Sequence, residues 1–382
     1  MTVRILVLLV GLLLAGAARA EPTAECGAPA ARDDGWAVAA PDAVALDATL
    51  LCPVIQRLAD PAVNVHSVVV VRHGSLVFEH YFAGEDQRWG RPIGKVVFGP
   101  DTRHDMRSIT KAVTGLLFGI AAGQGKFPAL DTPVFDYFPE YAALRTPEKA
   151  RIRLRDLLTM SSGLEWDEKL PYTDPKNSEN MLDVAPEPYR FVLEQKLIET
   201  PGLRFNYNSG GTTLLGAVIA RQTGQRLDAY ARDMLFTPLG IMDVEWARLD
   251  NGDPAGASGL RLRPRDLAKI GQLVLARGAW KGRQIVPAEW IDEATAPQIA
   301  GEALYFYGYQ LWLGRSLVGR HKLDWVAGVG LGGQRVFIVP ADDLVVAVTA
   351  GLYTSNQQAA IPLEILDHYV LPAVRDRPAL KQ

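Results

Sequence analysis

Ser67-Val-Val-Val-Val-Arg72 and Ser75-Leu-Val-Phe-Glu-His-Tyr-Phe82, joined by His73-Gly74, are the two runs on which the fold turns. β-Branched and aromatic residues on either side of a glycine-containing dipeptide predict a β-hairpin. The other end of the chain repeats the arrangement: Gln334-Arg-Val-Phe-Ile-Val339 and Leu344-Val-Val-Ala-Val-Thr349 flank the turn-forming Pro340-Ala-Asp-Asp343. Tyr307-Gly-Tyr-Gln-Leu-Trp-Leu313 is expected to add a strand, and residues 360–369 carry apolar side chains at helical spacing, suited to covering one sheet face. Between the two ends the spacing changes to that of helices, over 109–122, 189–199, 212–222, 227–235 and 264–276. The expected fold class is therefore α+β: an antiparallel sheet built from both chain ends, with flanking helices and an inserted, mostly helical subdomain at roughly 127–253. That body spans 61–382 and follows an N-terminal extension, 21–60, rich in Pro and Ala.

Composition narrows the partners. Forty Lys and Arg against 43 Asp and Glu leave a formal charge of −3, too close to neutral to grip a phosphate backbone, so no nucleic-acid partner is expected. Arg4, the short apolar run 5–15 and the small-x-small triplet Ala18-Arg19-Ala20 read as a signal peptide, 1–20, cleaved after Ala20. The run is too short to span a bilayer, which takes about 20 apolar residues. The expectation is a periplasmic or secreted protein with no stable membrane insertion after cleavage. The two cysteines, Cys26 and Cys52, both follow the cleavage site, and they are either a disulfide tying down the extension or two separate thiols.

The chemistry is carried first by Met106-Arg-Ser-Ile-Thr-Lys111. It opens the apolar periodicity of Val113, Leu116, Leu117 and Ile120, so Ser108 is placed at a helix N-terminus. One helical turn separates i from i+3, which brings Lys111 back under Ser108. A serine hydroxyl is a weak nucleophile until a base takes its proton, and burial is what keeps a lysine amine free to do so. Unpaired N–H groups at the same helix end favour a developing oxyanion. A capping serine beside a surface lysine would give the same four letters.

About a hundred residues on, Pro201-Gly-Leu-Arg-Phe-Asn-Tyr-Asn-Ser209 leads directly into Gly210-Gly-Thr-Thr-Leu-Leu-Gly216, placing Tyr207 in a loop before a helix. With these blocks, and with Leu154-Arg-Asp-Leu-Leu-Thr-Met-Ser-Ser-Gly163, Pro264-Arg-Asp-Leu-Ala268 and Ile285-Val-Pro-Ala-Glu-Trp290 in the same order, the chain resembles the class C β-lactamase-related serine hydrolases over roughly 65–370. The likeness is to the branch of penicillin-binding esterases and 6-aminohexanoate-dimer hydrolases. The resemblance implies an acyl-enzyme on Ser108, with Lys111 as base and Tyr207 relaying a proton to the leaving group. A phenol beside an ammonium is expected to be driven toward phenolate.

Two departures bear on the substrate. Where the β-lactamases carry Tyr-x-Asn, this chain reads Tyr207-Asn208-Ser209, so Ser209 is expected to offer a hydroxyl where an amide is usual. The third motif, Lys-Thr-Gly in β-lactamases, falls by resemblance on Gly328-Val329-Gly330 before Leu331 and lacks its lysine. The N–H of Leu331, next to Gly330, is then expected to share the oxyanion hole with Ser108. The Gly-rich stretch also reads as a strand-edge loop. Lys322 and Arg335 are near enough in sequence to reach the pocket, and Trp166, with Asp167 and Glu168, reads either as lining its mouth or as solvent-facing loop. Without the lysine clamp, a neutral or differently charged ester or amide is the expected small-molecule substrate. The alternatives are a D-alanyl carboxypeptidase or weak β-lactamase, and a catalytically silent protein of the same fold that binds cell-wall fragments. The six histidines show no metal-ligand spacing, so no metal and no cofactor is expected.

Overall fold

The computed structural model describes residues 26–127 and 129–377; the predicted leader 1–20 lies outside them. Strands Val65–Arg72 and Ser75–Tyr81 form the first hairpin. Its turn passes through His73 at φ 48° and Gly74 at φ 72°, the pair of left-handed residues that a two-residue turn of matching twist requires. Gln334–Val339 and Leu344–Ala350 form the second hairpin, and Leu344 pairs with Arg72 and Val348 with Val68. Both chain ends thus meet in the middle of one nine-stranded sheet. Its spatial order is Ala37–Val38, Ser75–Tyr81, Val65–Arg72, Leu344–Ala350, Gln334–Val339, His321–Gly330, Trp312–Val318, Phe306–Tyr307 and Ile299–Ala300. The first pair is parallel and the others are antiparallel.

Alternation along the central strands divides the interior in two. Val69, Val71, Val336, Ile338, Val345 and Ala347 face one core, against the helices Ile109–Gly123, Ser209–Thr223 and Pro264–Leu275. Val68, Val70, Phe337, Val339, Val346 and Val348 face the other. Leu51, Val54, Ile55 and Leu58 from the N-terminal extension close this second core together with Ile365, Leu366 and Leu371 from the chain's end. Cys26 and Cys52 are disulfide-bonded, with Cα atoms 5.7 Å apart, which settles the open pairing in favour of a tie on the extension. Among the described residues no helix is long and apolar enough to cross a membrane.

Several boundaries differ from the sequence reading for physical reasons. The run 307–313 is not one strand but the ends of two, Phe306–Tyr307 and Trp312–Val318, with a turn between them. Gln310 sits in that turn at φ 62°. Its buried amide donates to the carbonyls of Leu157 and Leu158 at 3.0 and 3.1 Å and accepts from Thr212 at 2.7 Å. A polar group in the core demands such partners, and meeting them bends the strand. The helix expected over 189–199 ends at Glu194, because the chain beyond it turns extended to bridge Leu197 to Leu164. The glycine-rich stretch 328–330 is strand rather than loop. It ends the ten-residue strand His321–Gly330, paired with Gln334–Val339 on one side and with a free edge on the other, where pairing to Trp312–Val318 stops at Ala327.

Candidate active site

Ser108 ends a tight turn in which Arg107 takes the left-handed φ of 49°. The serine caps the helix Ile109–Gly123 by position only: its side chain makes no capping hydrogen bond, so the hydroxyl is left for other work. Lys111, one turn on and 1% exposed, donates from Nζ to Ser108 Oγ at 3.0 Å and to the Ala257 carbonyl at 3.2 Å. The apolar helix around it supplies the burial, and two oxygen partners compensate for the water it has lost.

Tyr207 arrives from the loop before the helix Ser209–Thr223. Its ring centroid lies 4.8 Å from Lys111 Nζ, and its phenol is close enough to Ser108 for that hydroxyl to favour the ionised form. Trp312, from the sheet, stacks on the same ring with centroids 5.8 Å apart. Hydroxyl, amine and phenol therefore share one place. The phenol's ionisation runs against the sequence expectation: burial first, and the nearby Glu168 carboxylate next, push it well above its ordinary value. Desolvation outweighs the adjacent amine, and the resting phenol keeps its proton.

Ser108 and Tyr207 open into a cavity of about 840 Å³, with Lys111 buried behind them. Gly330 and Leu331 lie on its wall beside Ser108. Gly330 must be glycine, since a Cβ there would stand 2.4 Å from the Met106 carbonyl oxygen. Its bareness lets the strand end press against the turn that carries the nucleophile.

Two of the nearby cations are now separable. Lys322 is exposed and does not line the cavity. Arg335 does, 7% exposed, with its guanidinium donating to the carbonyls of Gly330 at 3.0 Å, Gln334 at 2.8 Å and Gln358 at 3.4 Å. Burial lowers it to about 10. Among the described residues no carboxylate forms an ion pair with it.

Ser209 is misplaced in the sequence reading. It is fully buried, and both its N–H and its hydroxyl bind the Glu168 carboxylate, at 2.6 and 2.9 Å. It lies outside the cavity lining. The reason is the helix it opens: orphan N–H groups and the positive end of the helix dipole attract an acid, and Glu168 reaches them from a different loop. Trp166 is in the wall as expected, but buried to 5% rather than at the mouth, and its indole N–H also binds Glu168, at 2.5 Å. Asp167 lines the cavity as an exposed residue, and its carboxylate also shapes the loop by accepting from the N–H groups of Lys169 at 2.8 Å and Leu170 at 3.3 Å.

Glu168 is the organising residue of this wall. Burial, then the charge of Glu179, push its carboxyl up to about 7. Tyr172 ties the two acids together, donating to Glu179 at 2.6 Å and lying 3.4 Å from Glu168. Glu179 is buried, which works to raise it, yet Lys111 and hydrogen bonds from Tyr172 and Ser258 hold it below its ordinary value. Tyr172, Glu179 and Trp312 carry no motif that singles them out in the sequence. Only their convergence does.

The chain belongs to the Beta-lactamase family, whose model matches residues 54–368, and it is a serine hydrolase of esterase or amidase type. Among curated relatives it is 25% identical over 320 residues to 6-aminohexanoate-dimer hydrolase of Paenarthrobacter ureafaciens, covering 78% of this chain and 75% of the relative. It is 28% identical over 224 residues to Esterase EstB of Burkholderia gladioli, covering 53% of each. Among solved structures, EstCE1, a hydrolase with promiscuous acyltransferase activity, superposes with a TM-score of 0.65 at 17% identity, covering 83% of this chain and 97% of that one. The octameric penicillin-binding protein homologue from Pyrococcus abyssi superposes with a TM-score of 0.61 at 22% identity, covering 82% and 75%. At such identities these structures speak for the fold alone.

Proposed function

We propose that the protein hydrolyses small ester or amide substrates through an acyl-enzyme on Ser108. The observation that carries this reading is the 3.0 Å contact from Lys111 Nζ to Ser108 Oγ, with the Tyr207 ring 4.8 Å from the same amine. The Ser108 oxygen attacks the substrate carbonyl while the Lys111 amine takes its proton. The N–H groups of Ser108 and Leu331 receive the oxyanion. Tyr207, held protonated by its burial, gives a proton to the leaving alcohol or amine and recovers one from Lys111. Water then enters by the reverse path and releases the acid. The disulfide between Cys26 and Cys52 supports an oxidising compartment, and with the leader-like residues 1–20 it favours a periplasmic or secreted enzyme.

Arg335 lends weight to a second reading, a D-alanyl carboxypeptidase or weak β-lactamase whose substrate carries a carboxylate. Three of its five N–H groups are held by backbone carbonyls, however, which leaves it a poorer carboxylate clamp than a free cation, so a neutral acyl substrate is preferred. The deciding experiment is labelling with a fluorophosphonate, followed by rates on p-nitrophenyl esters, small linear amides and nitrocefin. Stoichiometric label on Ser108 with ester or amide turnover is expected. Failure of the native protein to label overturns the proposal and favours a silent binding protein.

A further inference from the structure

Away from the acyl pocket, three separate strands bring His66, Asp86 and His104 together in the interior, with one ligand atom from each lying within 4.8 Å of the others. Both histidines are fully buried, and Asp86 is 4% exposed. None of the three lines the Ser108 cavity.

Hydrogen-bond accounting locates the protons. The Asn64 amide donates to the Glu85 carbonyl at 2.9 Å, which turns its Oδ1 toward His66 Nε2 at 3.2 Å. An oxygen at that position calls for Nε2–H. His104 Nδ1 lies 3.0 Å from the Asp105 carbonyl oxygen, which likewise calls for Nδ1–H. A neutral imidazole has one N–H, so the remaining nitrogens, His66 Nδ1 and His104 Nε2, are bare lone pairs. They face each other at 2.9 Å. Asp86 Oδ1 stands 3.4 Å from His104 Nε2, while Oδ2 of the same carboxylate is buried with no hydrogen-bond partner. Lone pairs so arranged, with no proton between them, are costly in a dry interior unless a cation joins them.

The surroundings are built to hold these rings. A Cβ on Gly84 would meet Asn64 Oδ1 at 2.2 Å and His66 Nε2 at 2.7 Å, and one on Gly351 would meet Asn64 Nδ2 at 2.3 Å and His66 Cε1 at 2.8 Å. Phe98 stacks on the His66 ring with centroids 4.1 Å apart. The Tyr353 hydroxyl donates to Asp86 Oδ1 at 2.9 Å. Outer partners that fix ring orientation and tautomer are what metal-ligating imidazoles require.

We infer that His66 Nδ1, His104 Nε2 and the Asp86 carboxylate form a buried structural site for one divalent late transition cation of the zinc class. Two imidazoles and a carboxylate suit that class. With Zn–N near 2.0–2.1 Å a tetrahedral ion needs the nitrogens roughly 3.3 Å apart, so binding opens the pair by a few tenths of an ångström. A single proton shared by the imidazoles would fill one gap and leave Asp86 Oδ2 unpaired, whereas a metal ion draws on all three residues. No sequence spacing marks this set, because its histidines are 38 residues apart in the chain.

The test uses the full chain without a histidine tag, unfolded with chelator and refolded in Zn²⁺, in Co²⁺ or in chelator alone. The expected result is about one metal per chain after desalting, a visible Co²⁺ ligand-field band, and a melting temperature several degrees higher with Zn²⁺ than with chelator. Asp86→Asn, a near-isosteric change, and the double variant His66→Gln/His104→Asn should each retain about a tenth of that metal or less. Metal below about a tenth per chain in the refolded native protein, with identical melting in Zn²⁺ and chelator, overturns the site in favour of a shared proton. Stoichiometric metal that persists in both variants overturns it as well, since it then lies elsewhere.

Discussion

The two walls of the acyl pocket are held in different ways. On one, Ser108 and Gly330, with Lys111 buried behind them, sit on a helix and a central strand, positioned by packing: Ile109, Val113, Leu116 and Leu117 are buried to 2% exposure or less. On the other, Trp166, Glu168 and Tyr172 belong to irregular chain, and a web of side-chain hydrogen bonds centred on Glu168 holds them against the helix that Ser209 opens. Packed elements keep their geometry at any pH, whereas a web centred on an acid depends on ionisation. The first wall suits the atoms that react, and the second suits the part of the site that adapts to a substrate.

The largest expected effect is on the packed wall. Ser108→Ala should lower kcat/KM for a p-nitrophenyl ester by roughly 10³-fold or more with an unchanged melting temperature; retained turnover would disprove the assignment of the nucleophile. Tyr207→Phe keeps the stacking on Trp312 and removes only the proton, so a loss of about 10²- to 10⁴-fold in kcat is expected. If Tyr207 merely packs, steady-state kinetics will show little change. Gly330→Ala puts a methyl 2.4 Å from the Met106 carbonyl and should cost about 1–3 kcal/mol in urea unfolding. Full stability there would mean that this wall is looser than the comparison holds.

The smallest effect separates the walls by pH. The Glu168 carboxyl rises from 4.5 to about 7 in the folded protein, so the native state binds a proton that the unfolded chain has already released. Its contribution is fully present below the unfolded value and declines as pH rises toward 7. Glu168→Gln should therefore gain in melting temperature relative to the native protein as pH rises through that window, by calorimetry. Parallel profiles for the two proteins would show that the acid does not govern the second wall.

Local pattern determined a good deal on its own. The hairpins at both ends follow from β-branched runs around turn residues, and the pairing of Ser108 with Lys111 follows from one helical turn, which needs no tertiary information. Tyr207 was visible because its loop leads straight into a glycine-rich helix start within a recognisable order of blocks. Tertiary structure alone decided that Ser209 serves Glu168, 41 residues away in sequence, that Arg335 reaches the cavity and Lys322 does not, that Cys26 finds Cys52, and that His66 meets His104. Each of these depends on which distant segments the sheet brings side by side and on which acceptor a buried donor can reach. Periodicity and spacing carry no record of either.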